Sequence, residues 1–250
     1  MRQRYRDGQE GHSDVVDILL EAGADVHQAT TEDGDVPLGI AAQNGHTETV
    51  QRLLEAGANV NHQNKSGATP VCYASGNGHT AVVQLLIENG ADISVCNKNG
   101  ASPLYMASQE GHSDVVDILL EAGADVHQAT TKDGDVPLGI AAQEGHTETV
   151  RRLLEAGANV NHQNKSGGTA LLVAGWKGHS EVVKLLLGAG ARDIPNKLDH
   201  RDTMMSVLMN HRVYIDTSVC QTYSRTFFKG KRSIPGWRHC SEYGQSLQPQ

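Results

Sequence analysis

Histidine is the residue type of this chain that most directly suggests chemistry, because thirteen are present among 250 residues. Imidazole nitrogens ligate zinc and transfer protons near neutral pH. Six of the histidines follow a glycine, at Gly11-His12, Gly45-His46, Gly78-His79, Gly111-His112, Gly145-His146 and Gly178-His179. Four more stand at matching places after these, at His27, His62, His127 and His162. Repeated positions of this kind lie about one helix diameter, roughly 10 Å, apart, too far to share one zinc ion. The pattern therefore predicts turn-stabilising histidines, with no metal site and no cofactor.

Acidic pairs are the second candidate for chemistry, and they also recur: Asp14 with Asp17, and Asp133 with Asp135. A solvated helix face or turn accounts for them, whereas general acid-base catalysis needs a desolvated cleft. The sequence contains no Gly-x-Ser-x-Gly elbow, no Gly-Lys-Ser/Thr phosphate loop and no His-Glu-x-x-His helix. We predict that the protein is not an enzyme.

The four cysteines show no Cys-x-x-Cys spacing, so they indicate free thiols and a reducing compartment. No apolar run reaches the roughly 18 residues of a membrane span, and no signal-length stretch follows Met1. We expect a cytoplasmic protein, with the nucleus as the other intracellular location, acting as a monomer.

Charge divides the chain into two parts. Residues 1–196 hold 25 acidic and 13 basic residues, a net charge of −12, whereas residues 197–250 hold 4 and 8, a net charge of +4. An acidic surface repels phosphate, which excludes nucleic acid as a partner of the first part and favours a basic partner protein.

The glycines give the period of the chain. Successive Gly-His dipeptides are 34, 33, 33, 34 and 33 residues apart, and the Gly-Ala glycines from Gly23 to Gly190 keep the same spacings. Residues Gln9–Gly67 also reappear at Gln109–Gly167, with three changes: Glu32 to Lys132, Asn44 to Glu144, and Gln51 to Arg151. A period of this length is typical of a solenoid, and the copied block preserves it.

The unit at residues 98–130 shows what the period contains. Ser102 can cap an inner helix that begins with Pro103 and ends at Gly111. An outer helix follows at residues 113–122, where Val115, Ile118, Leu119 and Ala122 predict one apolar stripe. Gly123 ends that helix, and a polar, hairpin-like turn leads to the next unit.

These motifs, such as Gly67-x-Thr69-Pro70, Ala41-Ala42-x-x-Gly45-His46 and Leu53-Leu54-x-x-Gly57-Ala58, resemble the ankyrin repeat over about residues 9–196. The resemblance implies an all-α solenoid whose inner helices and turn tips form a concave partner-binding surface. The histidine of the family's Thr-Pro-Leu-His opening is absent from every unit. Val36 and Val136 also lack a capping hydroxyl, which costs on the order of 1 kcal/mol unless Asp35 and Asp135 substitute.

The spacing predicts a truncated half repeat at 1–30, repeats at 31–64, 65–97, 98–130, 131–164 and 165–196, and a degenerate end at 197–250. In that last segment, residues 203–209 are expected to form a capping helix, and the rest a poorly ordered tail. The tail segment 227–232 mixes aromatic and basic residues that could touch an anionic membrane or nucleic acid, although we favour a tail without that function.

We predict a protein-protein interaction module, an adaptor or scaffold, that uses positions differing between units. At the turns these are Glu32, Asp33, Asp35, Lys65, Ser66, Ala68, Lys98, Asn99, Ala101, Lys132, Asp133, Asp135, Lys165 and Ser166. On the inner helices they are Gln43, Asn44, Tyr73, Asn77, Tyr105, Gln109, Glu144, Trp176 and Lys177. The aromatic residues are the expected anchors. The alternative is that the chain positions a catalytic or channel domain of a larger protein. The resemblance also suggests Asn61 and Asn161 as hydroxylation sites.

Overall fold

The computed structural model describes residues 13–192, and this stretch folds into eleven α-helices without a strand. Within the described part of the first unit, the helix is α1 (Ser13–Glu21). The inner helices are α2 (Pro37–Asn44), α4 (Pro70–Gly76), α6 (Pro103–Glu110), α8 (Pro137–Glu144) and α10 (Ala170–Lys177). The outer helices are α3 (Thr47–Glu55), α5 (Thr80–Glu88), α7 (Ser113–Glu121), α9 (Thr147–Glu155) and α11 (Ser180–Gly188). The prediction of an all-α solenoid is confirmed.

Most inner helices begin with proline at their first position, where the missing N–H has no intrahelical partner. The predicted cap at Ser102 is present, because its hydroxyl accepts from the amide of Tyr105 at 3.2 Å. Val36 and Val136 are N-caps without a side-chain hydrogen bond. The carboxylates of the neighbouring Asp35 and Asp135 instead accept hydrogen bonds from Asn64 and Asn164, at the ends of the same predicted repeats.

The outer helices bury a different arc from the one that the sequence predicts. In α7, Val115 and Leu119 are buried as expected, but Ile118 is half-buried and Ala122 is exposed. Val116 is fully buried instead. The helix packs against α6 and also against the outer helices on both sides, α5 and α9, so the buried arc is wider than one stripe. Ala122 is the C-cap, beyond that contact.

Stacking between units creates one continuous core. Each inner helix packs against its own outer helix and against the inner helices of the neighbouring units, and the outer helices stack likewise. Leucines at one position of the inner helices are 0–1% exposed: Leu38, Leu104, Leu138 and Leu171. Helices of seven to nine residues are unstable alone, so their stability depends on these shared contacts.

Each predicted repeat from 31–64 to 165–196 contains one inner and one outer helix. The inner half of segment 1–30, the capping helix at 203–209 and the tail lie outside the described residues. Between residues 13 and 192, no helix is long and apolar enough to cross a membrane.

Candidate partner-binding face

The turn tips, at the ends of the long turns that join the units, are tied together by backbone hydrogen bonds. Each tip donates one amide to a carbonyl of the preceding tip, at 2.8–3.0 Å: Lys65 to Asp33, Lys98 to Ser66, Thr131 to Asn99, and Lys165 to Asp133. The side chains of Asp33, Lys98, Asn99, Lys132 and Asp133 are exposed along this row. The tips therefore form a fixed series of polar side chains.

Lys65 has a structural role that the sequence did not reveal. Its ammonium donates to the carbonyl oxygens of Thr31 at 2.7 Å and Glu32 at 2.9 Å, in the preceding turn. Lys165 donates to the carbonyl of Thr131 in the same way. Both ammonium groups therefore bond to backbone carbonyls of the preceding turn.

Tyr73 and Asp35, predicted separately, are brought together by the fold. The hydroxyl of Tyr73 donates to Asp35 Oδ1 at 3.0 Å and accepts from Asn64 Nδ2 at 2.6 Å. The same Asn64 nitrogen donates to Asp35 Oδ1 at 2.9 Å. Burial, followed by the Asp35 charge and hydrogen bond, raises the pKa of Tyr73 well above its ordinary value. Tyr73 is thus held in place, and Asn64 is the member of this cluster that sequence reasoning missed.

Tyr105, on α6, lies near the corresponding acidic turn of the second copy. Burial, followed by the negative charges of Asp135 and Asp133, raises its pKa to about 12. The ring is half-buried, so part of it faces solvent. Tyr105 can therefore contact a partner while it packs within the stack.

The remaining inner-helix candidates are exposed. Trp176 is 55% exposed on α10 and is followed by the exposed Lys177. Asn77 and Gln109 border an open depression between α4 and α6, together with Gly76, Met106 and Glu110. The side chain of Met106 lies close over Gly76, because a Cβ there would be 3.1 Å from Met106 Cε. Nothing in the sequence identified Gly76 or Met106 as part of this surface.

The Gly-His dipeptides join one unit to the next. His79 Nε2 lies 2.9 Å from the carbonyl oxygen of Gln43, and its ring covers Gly45 so closely that a Cβ there would approach within 2.5 Å. Gly45 also has φ 76°, a conformation that favours glycine. His112, His146 and His179 repeat the arrangement. The histidines are therefore turn-stabilising, and between residues 13 and 192 no group of three His, Cys, Asp or Glu side chains could hold a metal ion.

Asn61 and Asn161 also join neighbouring units. Asn61 donates to the carbonyl of Gly90 at 3.1 Å and accepts from the amide of Asp92 at 2.7 Å. Asn161 accepts from the amide of Arg192 at 2.8 Å. Hydroxylation of either residue stays a prediction.

Comparison with known proteins agrees with this architecture. The family model described as ankyrin repeats matches in three copies, at residues 8–97, 38–130 and 123–197. No curated protein matches the chain. Ankyrin repeats are generally protein-protein interaction modules and are typically non-catalytic. The three matches together span residues 8–197, and the chain therefore belongs to the ankyrin repeat family.

Proposed function

We propose that this chain is an adaptor or scaffold that binds a partner protein through its inner helices and turn tips, in the cytoplasm or nucleus. The observation that carries the proposal is Trp176, one of two large hydrophobic side chains more than half exposed among residues 13–192. The other, Ile18, lies on α1, an outer helix. Exposed tryptophan on a rigid face is a common anchor of protein interfaces.

The net charge of the repeat array favours a basic partner. Residues 1–196 hold 25 acidic and 13 basic residues, a net charge of −12. An array with this excess of carboxylates attracts a cationic surface. Complementary charge increases the association rate, and salt reduces that increase.

The double variant Tyr105→Ala/Trp176→Ala tests the proposal. Proteins captured from cell extract by the wild type are compared quantitatively with those captured by the variant. Ile18→Ala is the matched control, because it removes a similarly exposed side chain from an outer helix. We expect at least a tenfold loss of one captured protein for the double variant, no loss for Ile18→Ala, and unchanged helical circular dichroism for both. Equal capture by all three proteins would overturn the proposed surface.

A further inference from the structure

A depression on the inner-helix face lies between the C-terminal ends of α4 and α6. Five residues line it: Gly76, Asn77, Met106, Gln109 and Glu110. It holds about 330 Å³ and opens to solvent. That volume is the room of roughly ten water molecules at about 30 Å³ each. The depression is therefore large enough to receive a side chain of a partner protein.

The polar side chains of the depression offer mainly oxygen atoms to a ligand. Asn77 Nδ2 donates to the carbonyl oxygen of Tyr73 at 2.9 Å, and Gln109 Nε2 donates to Glu110 Oε1 at 3.1 Å. Within the described part of the chain, no hydrogen bond is donated to Asn77 Oδ1, Gln109 Oε1 or Glu110 Oε2. The depression therefore presents hydrogen-bond acceptors and favours a ligand that donates.

The electrostatics of the depression favour a cation. Glu110 is the last residue of α6, so its carboxylate adds to the partial negative charge at that helix end. Two histidines lie nearby, but His112 Nε2 bonds to the carbonyl of Gly76 at 3.2 Å and His146 Nε2 to that of Gln109 at 2.9 Å. No basic side chain is among the five lining residues. A positively charged donor therefore fits the depression better than a neutral one.

The half-buried side chain of Met106 supplies an apolar wall. A thioether is polarisable and adapts to the shape of its neighbour, and the methylene groups of long charged side chains pack on apolar surfaces. Arginine combines both requirements, because its methylene groups can lie against Met106 while its planar guanidinium carries five N–H donors. Those donors match a carboxylate with amide oxygens beside it.

Two positions distinguish this place from the corresponding places between other inner helices. At the position of Gly76, the other four described inner helices carry larger side chains: Gln43, Gln109, Gln143 and Trp176. At the position of Glu110, α2 and α4 carry asparagine, and α10 carries Lys177. Among the described inner helices, α4 and α6 are therefore the neighbouring pair that combines a carboxylate with a glycine at these positions.

We propose that this depression binds an arginine side chain of the partner protein. The guanidinium donates to the Glu110 carboxylate and to the amide oxygens of Asn77 and Gln109, and the methylene groups pack on Met106. This inference rests on the proposed function, because the depression belongs to the same inner-helix face. It adds the chemical class of one partner residue.

The test uses the full chain, labelled with ¹⁵N, and the capped tripeptide Ac-Gly-Arg-Gly-NH₂ with its lysine and citrulline analogues. We expect the arginine peptide to shift the Gly76 amide and the Asn77 and Gln109 side-chain signals saturably, with a Kd on the order of millimolar, as for a ligand with one anchoring residue. The lysine peptide should bind about threefold more weakly or less, because its ammonium lacks the planar fork. Citrulline keeps the shape of arginine without the charge, and it should bind at least about fivefold more weakly.

Substitutions in the depression test its residues directly. Glu110→Gln removes the carboxylate and should weaken binding of the arginine peptide at least about fivefold. Glu121→Gln is the matched control, because it removes the same charge from the last residue of an outer helix, α7, and it should change the affinity by less than about twofold. Gly76→Gln introduces the residue that α2, α6 and α8 carry at this position, and it should abolish binding by occupying the space. Circular dichroism verifies that each variant is folded.

Absence of saturable shifts at Gly76, equal binding of the arginine and citrulline peptides, or unchanged binding by a folded Glu110→Gln or Gly76→Gln protein would each overturn the proposal. An equal loss of affinity in Glu121→Gln would also overturn it, because the peptide would then respond only to overall charge. Equal binding of the lysine peptide would overturn the assignment to arginine. The capture experiment with Tyr105→Ala/Trp176→Ala is independent, so a failed depression leaves the partner-binding face standing, and a failed face does not alter the peptide result.

Discussion

The two copies of the duplicated block have the same scaffold but different surfaces. His62 lies 2.9 Å from the carbonyl of Gly34, and His162 lies 2.9 Å from that of Gly134. What differs is the unit that follows, which supplies Tyr73 to the first copy and Val173 to the second. In a stacked array, the contacts of each unit are therefore completed by its neighbour, and an identical sequence can form a closed surface in one place and an open one in another.

The largest expected effect on stability comes from truncating the equivalent core leucines of the two copies. Leu53 in α3 and Leu153 in α9 are 3% and 0% exposed. We expect Leu53→Ala and Leu153→Ala each to lower the free energy of unfolding by about 2–5 kcal/mol, because each leaves a cavity in a stacked interface. Urea unfolding followed by circular dichroism measures both. If one variant were as stable as the wild type, the two copies would not be packed alike.

High pH should affect one tyrosine beside each copy, Tyr73 at the first and Tyr105 at the second. The folded-state pKa of Tyr73 is raised above the unfolded value of about 10, as is that of Tyr105, which is about 12. A raised folded-state pKa gives stabilisation that is complete below the unfolded pKa and is lost as the pH rises through the folded value. We therefore expect Tm to fall steeply between pH 10 and 12.

The variant Tyr73→Phe is the control for the alkaline prediction, since it removes the ionisable group that bonds to Asp35. Its Tm should fall less over the same pH range, and the remaining loss should reflect Tyr105. A wild-type Tm that stays constant from pH 9 to 12 would contradict the burial and charge around both rings.

The hydroxyl of Tyr73 itself should have a smaller effect at neutral pH. Tyr73→Phe keeps the ring over Gly39 but removes the hydrogen bonds to Asp35 and Asn64. We expect a loss of about 1 kcal/mol, the usual net contribution of a hydrogen bond, partly because Asn64 still donates to Asp35. Denaturant unfolding at pH 7 measures it. A gain in stability would show that the cluster is strained in the folded chain.

The period and the glycines were enough to predict the fold, because left-handed glycines and proline-initiated helices are local features. Gly111 has φ 79° and ends α6 where the sequence indicated. The width of the buried arc on α7, which includes Val116, could not be predicted from one helix, since α7 packs against α5 and α9 as well as against α6.

The candidate site could be predicted only in part, because its contacts also form between units. The sequence identified the turn tips and the aromatic residues as positions that vary between units. It did not show the hydrogen bonds that these residues form with neighbouring units. Asn64 recurs as Asn164 in the second copy and was not selected as a candidate, yet it connects Tyr73 to Asp35. The contrast between Gly39 and Gly139 could not be predicted either, because Tyr73 of the following unit lies beside Gly39, whereas Gly139 has only its own turn within 4 Å.

The smallest expected difference between the copies comes from the change of Gln51 to Arg151. Glu148 accepts hydrogen bonds from Arg152 at 2.7 Å and Arg151 at 3.2 Å, and these hold its pKa below the ordinary value. Arg151→Gln restores the residue of the first copy. We expect the pKa of Glu148 to rise while remaining below its ordinary value, because the hydrogen bond from Arg152 is the larger cause of the lowering. A titration of the ¹³C side-chain signal measures it, with Lys184→Gln on α11 as a control that should leave the pKa of Glu148 unchanged.

Because Glu148 and Arg151 are both solvent-exposed, salt should remove most of the difference in the Glu148 pKa between the wild type and Arg151→Gln. A rise of this pKa that persisted at 1 M salt would mean that more than an exposed charge pair separates the two copies.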